Sequence, residues 1–222
     1  MMATERPLRR DAERNRQRII AAAGEVFATQ GIGAGLNEIA HHAGLAIGTV
    51  YRRFPDKDAL VQAALHEEFE ALVALADEGL AEATAWDGLT SVFRRVVDMN
   101  VASRGLRDLA FSSEHGRRQV EALRPGMESR IETLLDRARA EGSLRPDVTV
   151  VDFFMMMLMV TEFAYRTAAV QPNAYRRYLE LLITSLRGTP GCRVENLGTP
   201  VTAADASAIA RQWRRLSTAD EG

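Results

Sequence analysis

The sequence predicts an all-α protein with a small three-helix unit near its N-terminus and a bundle of longer helices after it. Apolar residues recur at intervals of three and four through most of the 222 residues, which is the spacing of helices that bury one face. No segment alternates apolar and polar residues as a half-buried strand does, and no Asn-Gly hairpin signal occurs. Glycines and prolines fall between the periodic segments, where helices begin and end.

The first helix is expected over residues 11–30, after a polar arm at residues 1–10. Its apolar stripe consists of Ile19, Ala23, Val26 and Phe27. Gly31 follows the last periodic residue and is expected to end the helix.

Two short helices around a tight turn are expected over residues 35–54. The apolar face of the first helix consists of Leu36, Ile39, Ala40 and Ala43. Gly35 is an acceptable N-cap, and Glu38 is placed for half of a capping box. Gly44 stands where a helix often ends in a left-handed residue.

The second short helix begins near Ile47 and carries its polar residues outward. Pro55 forces Phe54 out of helical geometry, and Val50 and Phe54 face inward together. The outer residues are Ile47, Gly48, Thr49, Tyr51, Arg52 and Arg53. A short helix with such an outer face suits insertion into the major groove of DNA, where these side chains meet phosphates and base edges.

A family resemblance rests on residues 43–60, AGLAIGTVYRRFPDKDAL, and extends through IIAAAGEVFATQGI and EIA over about residues 12–62. This segment resembles the signature of TetR-type (tetracycline-repressor-like) transcriptional regulators. The resemblance implies that Thr49, Tyr51 and Lys57 contact DNA phosphates. It also implies that Ile47, Gly48 and Arg52 lie nearest the bases. The expected DNA-binding residues are Gly35, Ala46, Ile47, Gly48, Thr49, Tyr51, Arg52, Arg53 and Lys57.

Two positions depart from the family pattern. Members often carry Thr or Ser where this chain has Gly35, and Ser where it has Ala46. Because alanine is a poor N-cap, the second short helix is expected to lack about 1 kcal/mol of capping stabilisation and to be loosely ordered without DNA.

The chain after residue 56 is expected to be helical up to about residue 188. Asp56 is a good N-cap for a long fourth helix that ends near Gly79. Further helices are expected at about residues 86–101, 106–111, 127–142, 149–170 and 174–188, with another segment that ends at Pro125. Thr149 and Asp152 resemble a capping start.

The expected domains are a flexible arm at 1–10, a helix-turn-helix DNA-binding domain at 11–60 with its reader at 35–54, a ligand-binding and dimerisation domain at 61–188, and a tail at 189–222. The arm either follows the DNA backbone with its arginines or is a solvated tail. The tail is expected to hold a Gly- and Pro-rich loop and a short helix around residues 206–213.

Composition is ordinary for a soluble globular protein, with 46% hydrophobic and 26% charged residues and a net charge of −2. Residues 1–58 carry nine Lys and Arg against seven Asp and Glu, whereas the remainder carries nineteen against twenty-three, so the mild basic excess lies at the front. The chain has one cysteine, Cys192, so an intramolecular disulfide is excluded. Because disulfides are rare in reducing compartments, a cytoplasmic location is expected. The charged N-terminus does not resemble a signal peptide, and the longest apolar run is too short to span a membrane.

The apolar run at residues 153–160, FFMMMLMV, is expected to be buried on more than one side. By the family resemblance, the last two long helices pair with those of a second copy. The expected interface residues are Met156, Met157, Val160, Tyr178, Leu182 and Leu186. Methionines suit irregular apolar surfaces, which is compatible with core, interface or ligand contact.

A small apolar effector is expected to bind within the C-terminal domain. Candidate contacts are Asn100, Arg104, His115, Met155, Met159, Glu162 and Tyr165. Hydrogen bonding within the bundle is the competing explanation for each polar member of this set.

An enzyme is the competing class of function. Glu38 and His41 have the Glu-x-x-His spacing of helical di-iron sites, but such sites need a second copy, and the sequence has none. No Cys-x-x-Cys, phosphate-binding glycine loop or Gly-x-Ser-x-Gly occurs. We therefore expect no catalytic residue, no cofactor and no metal. We expect a repressor that binds a near-palindromic operator as a homodimer and leaves the DNA when a ligand binds. The alternative is a repressor that binds DNA constitutively and senses no ligand.

Overall fold

The computed structural model describes residues 5–111, 114–188, 198–206, 208–209 and 212, and it describes side chains outside 5–10 and 109–125. Every regular element in these ranges is a helix, and the extended pairing found there is an isolated bridge between Leu144 and Arg187. The all-α prediction is confirmed. Of the helix predicted around residues 206–213, the described residues 206, 208, 209 and 212 are helical, and the others lie outside the described residues.

The helices are α1 (Glu5–Gln30), α2 (Leu36–His42), α3 (Ile47–Arg53), α4 (Lys57–Ala64), α5 (His66–Ala81), α6 (Ala85–Ala102), α7 (Arg104–Phe111), α8 (Glu114–Ala140), α9 (Val150–Thr167) and α10 (Ala174–Ser185). They pack into two compact units. The first comprises Met1–Phe69 and Ser103–Gln119, and the second comprises Glu70–Ala102 and Val120–Gly222. The short helix α7 therefore packs with the N-terminal helices, although the sequence around it belongs to the second unit. The functional boundary at residue 60 stays a prediction.

The first unit is built around α1. Its largest fully buried side chains come from α1, α2, α3 and α4 and from Leu65, which directly follows α4. They are Ile19, Phe27, Ile39, Val50, Leu60 and Leu65. The helix α1 begins six residues before the predicted start, and Gly31 ends it with a φ of +82°, as predicted.

The predicted long helix over residues 56–79 is wrong, because the segment forms two helices. Leu65 leaves helical geometry with a φ of −107° and a ψ of 13°, and its side chain is fully buried. Neither a glycine nor a proline stands there, and the apolar spacing continues through it, so the local sequence carries no signal of the break. Asp56 does cap α4, since its side chain accepts the Ala59 N–H at 2.8 Å.

The second unit has its core between α6, α8, α9 and α10. The rings of Phe93 and Phe153 lie 4.7 Å apart between centroids, and α8 contributes Ile131, Leu134 and Leu135. The capping box predicted for α9 is confirmed: the Thr149 N–H donates to Asp152 Oδ2 at 2.8 Å, and the Asp152 N–H donates to Thr149 Oγ1 at 3.2 Å.

The predicted helix break at Pro125 is also wrong, because α8 runs unbroken from Glu114 to Ala140. The φ of proline is compatible with a helix, and its cost is the loss of one backbone donor and crowding of the preceding turn.

Charged pairs join α6 to α10 at the edge of this core. Arg94 donates two hydrogen bonds to Glu180, at 2.6 and 2.9 Å, and they lower the pKa of the Glu180 carboxyl. The Tyr175 hydroxyl donates to Asp98 at 2.6 Å, and burial together with this bond raises the pKa of Tyr175. These contacts fix α10 against α6.

The backbones of α5 and α6 approach closely at two glycines. A Cβ on Gly88 would lie 2.1 Å from the carbonyl oxygen of Gly79, so no side chain fits there. Gly126 of α8 is different, because among the described side chains a Cβ there would meet the end of Arg130 alone, at 3.3 Å.

We predict that Gly88→Ala lowers the free energy of unfolding by about 1–3 kcal/mol, because the new methyl forces the two helices apart. Gly126→Ala is the matched control and should be neutral or stabilising by up to about 1 kcal/mol, since alanine favours helices. Urea unfolding followed by circular dichroism measures both. An unchanged midpoint for Gly88→Ala would contradict the close approach.

Candidate nucleic-acid interface

The turn between α2 and α3 is a Schellman motif. The Gly44 N–H donates to the His41 carbonyl at 3.0 Å, and the Leu45 N–H donates to the Ala40 carbonyl at 2.9 Å. Gly44 has a φ of +62°, which favours glycine. At the other end of α2, the Gly35 N–H donates to Glu38 Oε2 at 2.8 Å, which is the predicted half of a capping box.

The helix α3 has the predicted bounds and the predicted inner and outer faces. Val50 is fully buried, and Phe54 is extended before Pro55 and also buried. Ala46 makes no side-chain capping bond, as its lack of a polar side chain requires.

The outer face of α3 is open to solvent. Tyr51 is 60% exposed, Arg52 and Arg53 are exposed, and Ile47, Gly48 and Thr49 are half-buried. One apolar anchor inside the helix and a polar outer face leave most of its side chains available for a partner. Gly35 and Ala46, the remaining predicted positions of the reader, are also exposed.

Two predicted DNA-binding residues of α3 contact each other. Arg52 Nη2 donates to Thr49 Oγ1 at 3.0 Å, and Arg52 Nη1 lies 3.8 Å from where a Cβ on Gly48 would be. The guanidinium therefore lies along α3 over its first turn. Its other N–H groups remain as donors for a partner, because a guanidinium has five of them.

Lys57, the single lysine of the chain, has a structural contact that its sequence motif did not suggest. Its ammonium donates to the Gly33 carbonyl at 3.0 Å and so ties the first turn of α4 to the connection before α2. Burial lowers the pKa of this lysine, against the opposing effect of Glu38 and Asp58. Its predicted phosphate contact is compatible with this position, because an ammonium has three donors.

Sequence reasoning missed a set of contacts from α1 to the reader. Arg18 Nη2 donates to the Ala43 carbonyl at 2.7 Å, and the Arg16 guanidinium lies 5.6 Å from the Phe54 ring centroid. Both partners are distant in sequence, so no local pattern indicates the contacts.

The helix α7 docks on the end of α1 within the same unit. Asp108 Oδ2 accepts the Ile32 N–H at 3.1 Å, and a Cβ on Gly31 would lie 1.9 Å from that oxygen. A Cβ on Gly105 would lie 3.1 Å from the Phe27 carbonyl oxygen, so the two helices are close there as well.

The residues predicted for an effector site are divided between the two units, and their role in ligand binding stays a prediction. Asn100 is buried and donates to the Val96 carbonyl at 2.9 Å, which gives its amide a structural partner. Glu162 pairs with Arg166 at 2.8 Å along α9. Arg104 packs in the first unit, whereas Asn100, Met155, Met159, Glu162 and Tyr165 belong to the second. The His115 side chain lies outside the described residues.

Four of the residues predicted for a dimer interface are buried within their own chain. Met156, Met157, Val160 and Leu186 belong to the core of the second unit and have less than a tenth of their surface exposed. They have little surface left for a second copy, so this part of the prediction needs correction. Tyr178 is 48% exposed and Leu182 half-buried, which leaves both available.

Known families match both parts of this arrangement. Residues 19–64 match the family described as "Bacterial regulatory proteins, tetR family", and residues 84–188 match "Transcriptional regulator SbtR-like, C-terminal domain". A TetR transcriptional regulator of Streptomyces coelicolor is 31% identical, with a TM-score of 0.53, over 78% of this chain and 99% of that one. The chain belongs to the TetR family of transcriptional regulators.

Other similarities to this TetR-family regulator are more limited. An HTH-type transcriptional regulator of Staphylococcus aureus is 34% identical over 67 residues, which are 30% of this chain and 36% of the relative. The structure of FadR from Bacillus subtilis in complex with stearoyl-CoA is 20% identical, with a TM-score of 0.59, over 77% of this chain and 98% of that one, and shows the fold alone.

The family matches agree with the observed helix boundaries. The first match ends at residue 64, where α4 ends before the break at Leu65, and the second covers α6 through α10. Among the described helices, none is both long and apolar enough to span a membrane. As a TetR-family transcriptional regulator, the protein is not an enzyme.

We predict that Ala46→Ser stabilises α3 by about 1 kcal/mol and slows hydrogen exchange at the Val50 amide, because serine supplies the missing cap. In the unchanged protein, α3 should exchange faster than the core of α1. Asp56→Ala removes the working cap of the next helix and should destabilise α4 by a similar amount. Equal protection of α3 and α1 before substitution would refute this account.

Proposed function

We propose that this TetR-family regulator is a ligand-responsive repressor. It binds a near-palindromic operator as a homodimer in the cytoplasm, and a small molecule releases it. The observation that carries the proposal is the exposed outer face of α3, held between a Schellman turn and a proline corner. A helix so placed can enter the major groove with its first residues against the base edges.

Each side chain of this face has a proposed role. Thr49, Tyr51 and Lys57 contact phosphates, which position the protein, and Arg52 reaches a base edge, which provides sequence preference. Ile47 and Gly48 offer apolar contact and close approach. Arg53 is an exposed cation that adds to phosphate affinity. Gly35 and Ala46 sit at the helix starts, where backbone N–H groups face the DNA.

Selection of bound sequences from a random DNA pool tests the function directly. We expect enrichment of an inverted repeat whose half-site centres lie about 34–36 Å apart, or at a related spacing, because two recognition helices of a dimer enter successive major grooves. Failure to enrich any sequence would refute the proposed function.

Substitutions on α3 should separate affinity from specificity. Arg52→Ala should reduce operator affinity by about tenfold, because loss of a base contact costs about 1–3 kcal/mol. The ratio of operator affinity to random-DNA affinity should fall as well. Tyr51→Phe and Lys57→Ala should weaken binding to all sequences. Arg95→Ala, which removes an exposed arginine from α6, is the control and should change neither affinity. Fluorescence anisotropy measures these constants, and equal loss on both DNAs for Arg52→Ala would exclude Arg52 from readout.

Exposed apolar residues on α9 and α10 support a dimer. Met159 is 43% exposed, and Leu181 is 53% exposed one helical turn from Tyr178. The Tyr178 ring packs edge-on against Phe163 at 4.8 Å, so side chains of the two helices meet at this surface. A second copy that covers it would form an interface symmetric about a two-fold axis.

We predict that Met159→Arg combined with Leu181→Arg yields a folded monomer with weakened operator binding, because two buried charges would oppose each other across the interface. Val101→Arg is the control, since Val101 is an exposed apolar residue of α6. Met156→Arg should instead reduce folding, because that side chain is in the core. Sedimentation velocity measures the state of association, and a double variant that remains dimeric would contradict the interface.

Two observations support control by a ligand. The structure of FadR, which shares this fold, contains stearoyl-CoA, whose acyl chain is apolar, and this supports a small molecule with a large apolar part as effector. The helix α7 is anchored in the reader unit through Asp108, while the chain on both sides of its segment belongs to the second unit. A ligand that binds one conformation of the segment around α7 more tightly than another would change the fraction of molecules that can bind the operator.

A further inference from the structure

The C-terminal end of α2 is held by a side chain from outside the helix-turn-helix. The Schellman bonds of this end go to the carbonyls of Ala40 and His41. The carbonyl of Ala43, the C-cap residue, instead accepts the bond from Arg18 Nη2 of α1 at 2.7 Å. Arg18 thus joins α1 to the first residue of the turn.

The charge of Arg18 suits this location. Carbonyl groups at a helix C-terminus carry partial negative charge, and a guanidinium there is stabilising. The last turn of α2 has only two histidines and no lysine or arginine of its own. A bond from an ionised donor is also shorter and stronger than a neutral one.

Gly44 makes room for this contact. A Cβ at that position would lie 3.3 Å from Arg18 Nη2, which is tighter than most such contacts. The glycine therefore serves the turn through its positive φ and also leaves space for the guanidinium.

The orientation of α3 depends on few other anchors. Val50 is the only residue of α3 that is buried, and the N-cap Ala46 provides no side-chain bond. Ala43 stands three residues before that N-cap, so a shift of its carbonyl moves the start of α3. We propose that Arg18 is a positioning residue for DNA recognition, which fixes the α2–α3 turn to α1 and sets the angle at which α3 meets the major groove. This inference rests on the proposed function.

A direct phosphate contact by Arg18 is the competing role, and salt dependence distinguishes the two. Loss of one phosphate contact reduces the slope of log affinity against log salt by about 0.9 on any DNA duplex. Loss of a positioning bond weakens operator binding, because operator binding needs accurate placement of α3. It leaves the affinity for random DNA and the salt slope of that affinity unchanged.

The test compares Arg18→Ala, Arg18→Lys and Arg14→Ala in the full chain. Arg14 is the matched control, because it lies one turn earlier on α1 and pairs with Asp11 of the same helix. Anisotropy titrations with the selected operator and a random duplex, each at several salt concentrations, give the affinities. Thermal unfolding of each variant gives the folded fraction.

We expect Arg18→Ala to lose about tenfold in operator affinity, in line with about 1.4 kcal/mol for a charge-assisted bond, with random DNA unaffected. Arg18→Lys should recover part of the loss because its ammonium can donate to the same carbonyl, and Arg14→Ala should bind as the parent does. Unchanged operator affinity, equal loss on both DNAs, or a reduced salt slope on random DNA would each overturn the positioning role. Absence of operator selection by the parent protein would instead defeat the proposed function.

Discussion

The left-handed turn at Gly44 is the constraint on which the DNA-binding surface depends. Only a residue that tolerates a φ of +62° allows α2 to end there and α3 to start three residues later. The turn makes its own backbone bonds to Ala40 and His41, so it costs no buried unpaired group. Arg18 then holds the α2–α3 turn in the middle of the reader, and the proline corner after Phe54 ends it.

The helix α3 can be short because the turn at Gly44 and the contacts from α1 hold it in place. Because the turn and α1 hold it, seven residues with a single buried side chain suffice, and the remaining side chains stay free to meet a partner. Arg52 donates a hydrogen bond to the Thr49 hydroxyl, so the guanidinium is kept along the helix. Lys57 fixes the connection before α2 while retaining donors for a phosphate.

Elements whose ends depend on local chemistry could be predicted from the sequence. Gly44, Pro55, Asp56 and the Thr149 capping box each act on residues within a few positions, so α2, α3 and the starts of α4 and α9 could be predicted. The break at Leu65 has no local signal, because the sequence pattern of a buried leucine is the same in a continuous helix and at a break between two helices.

The rest depended on contacts that are distant in sequence. Arg18 and Asp108 find partners 25 and 76 positions away, which no periodicity indicates. The apolar run of α9 predicted burial on several sides, but it could not show which methionines face the core. Met156 and Met157 face the core of their own chain, and Met159 is exposed.

Methylation interference on the selected operator tests most directly whether paired copies of α3 read the major groove. Methyl groups at guanine N7 occupy the major groove, and those at adenine N3 occupy the minor groove. The account predicts that N7 methylation blocks binding in two symmetric patches, about one helical turn or a related spacing apart. Interference confined to adenine N3, or to a single patch, would contradict it.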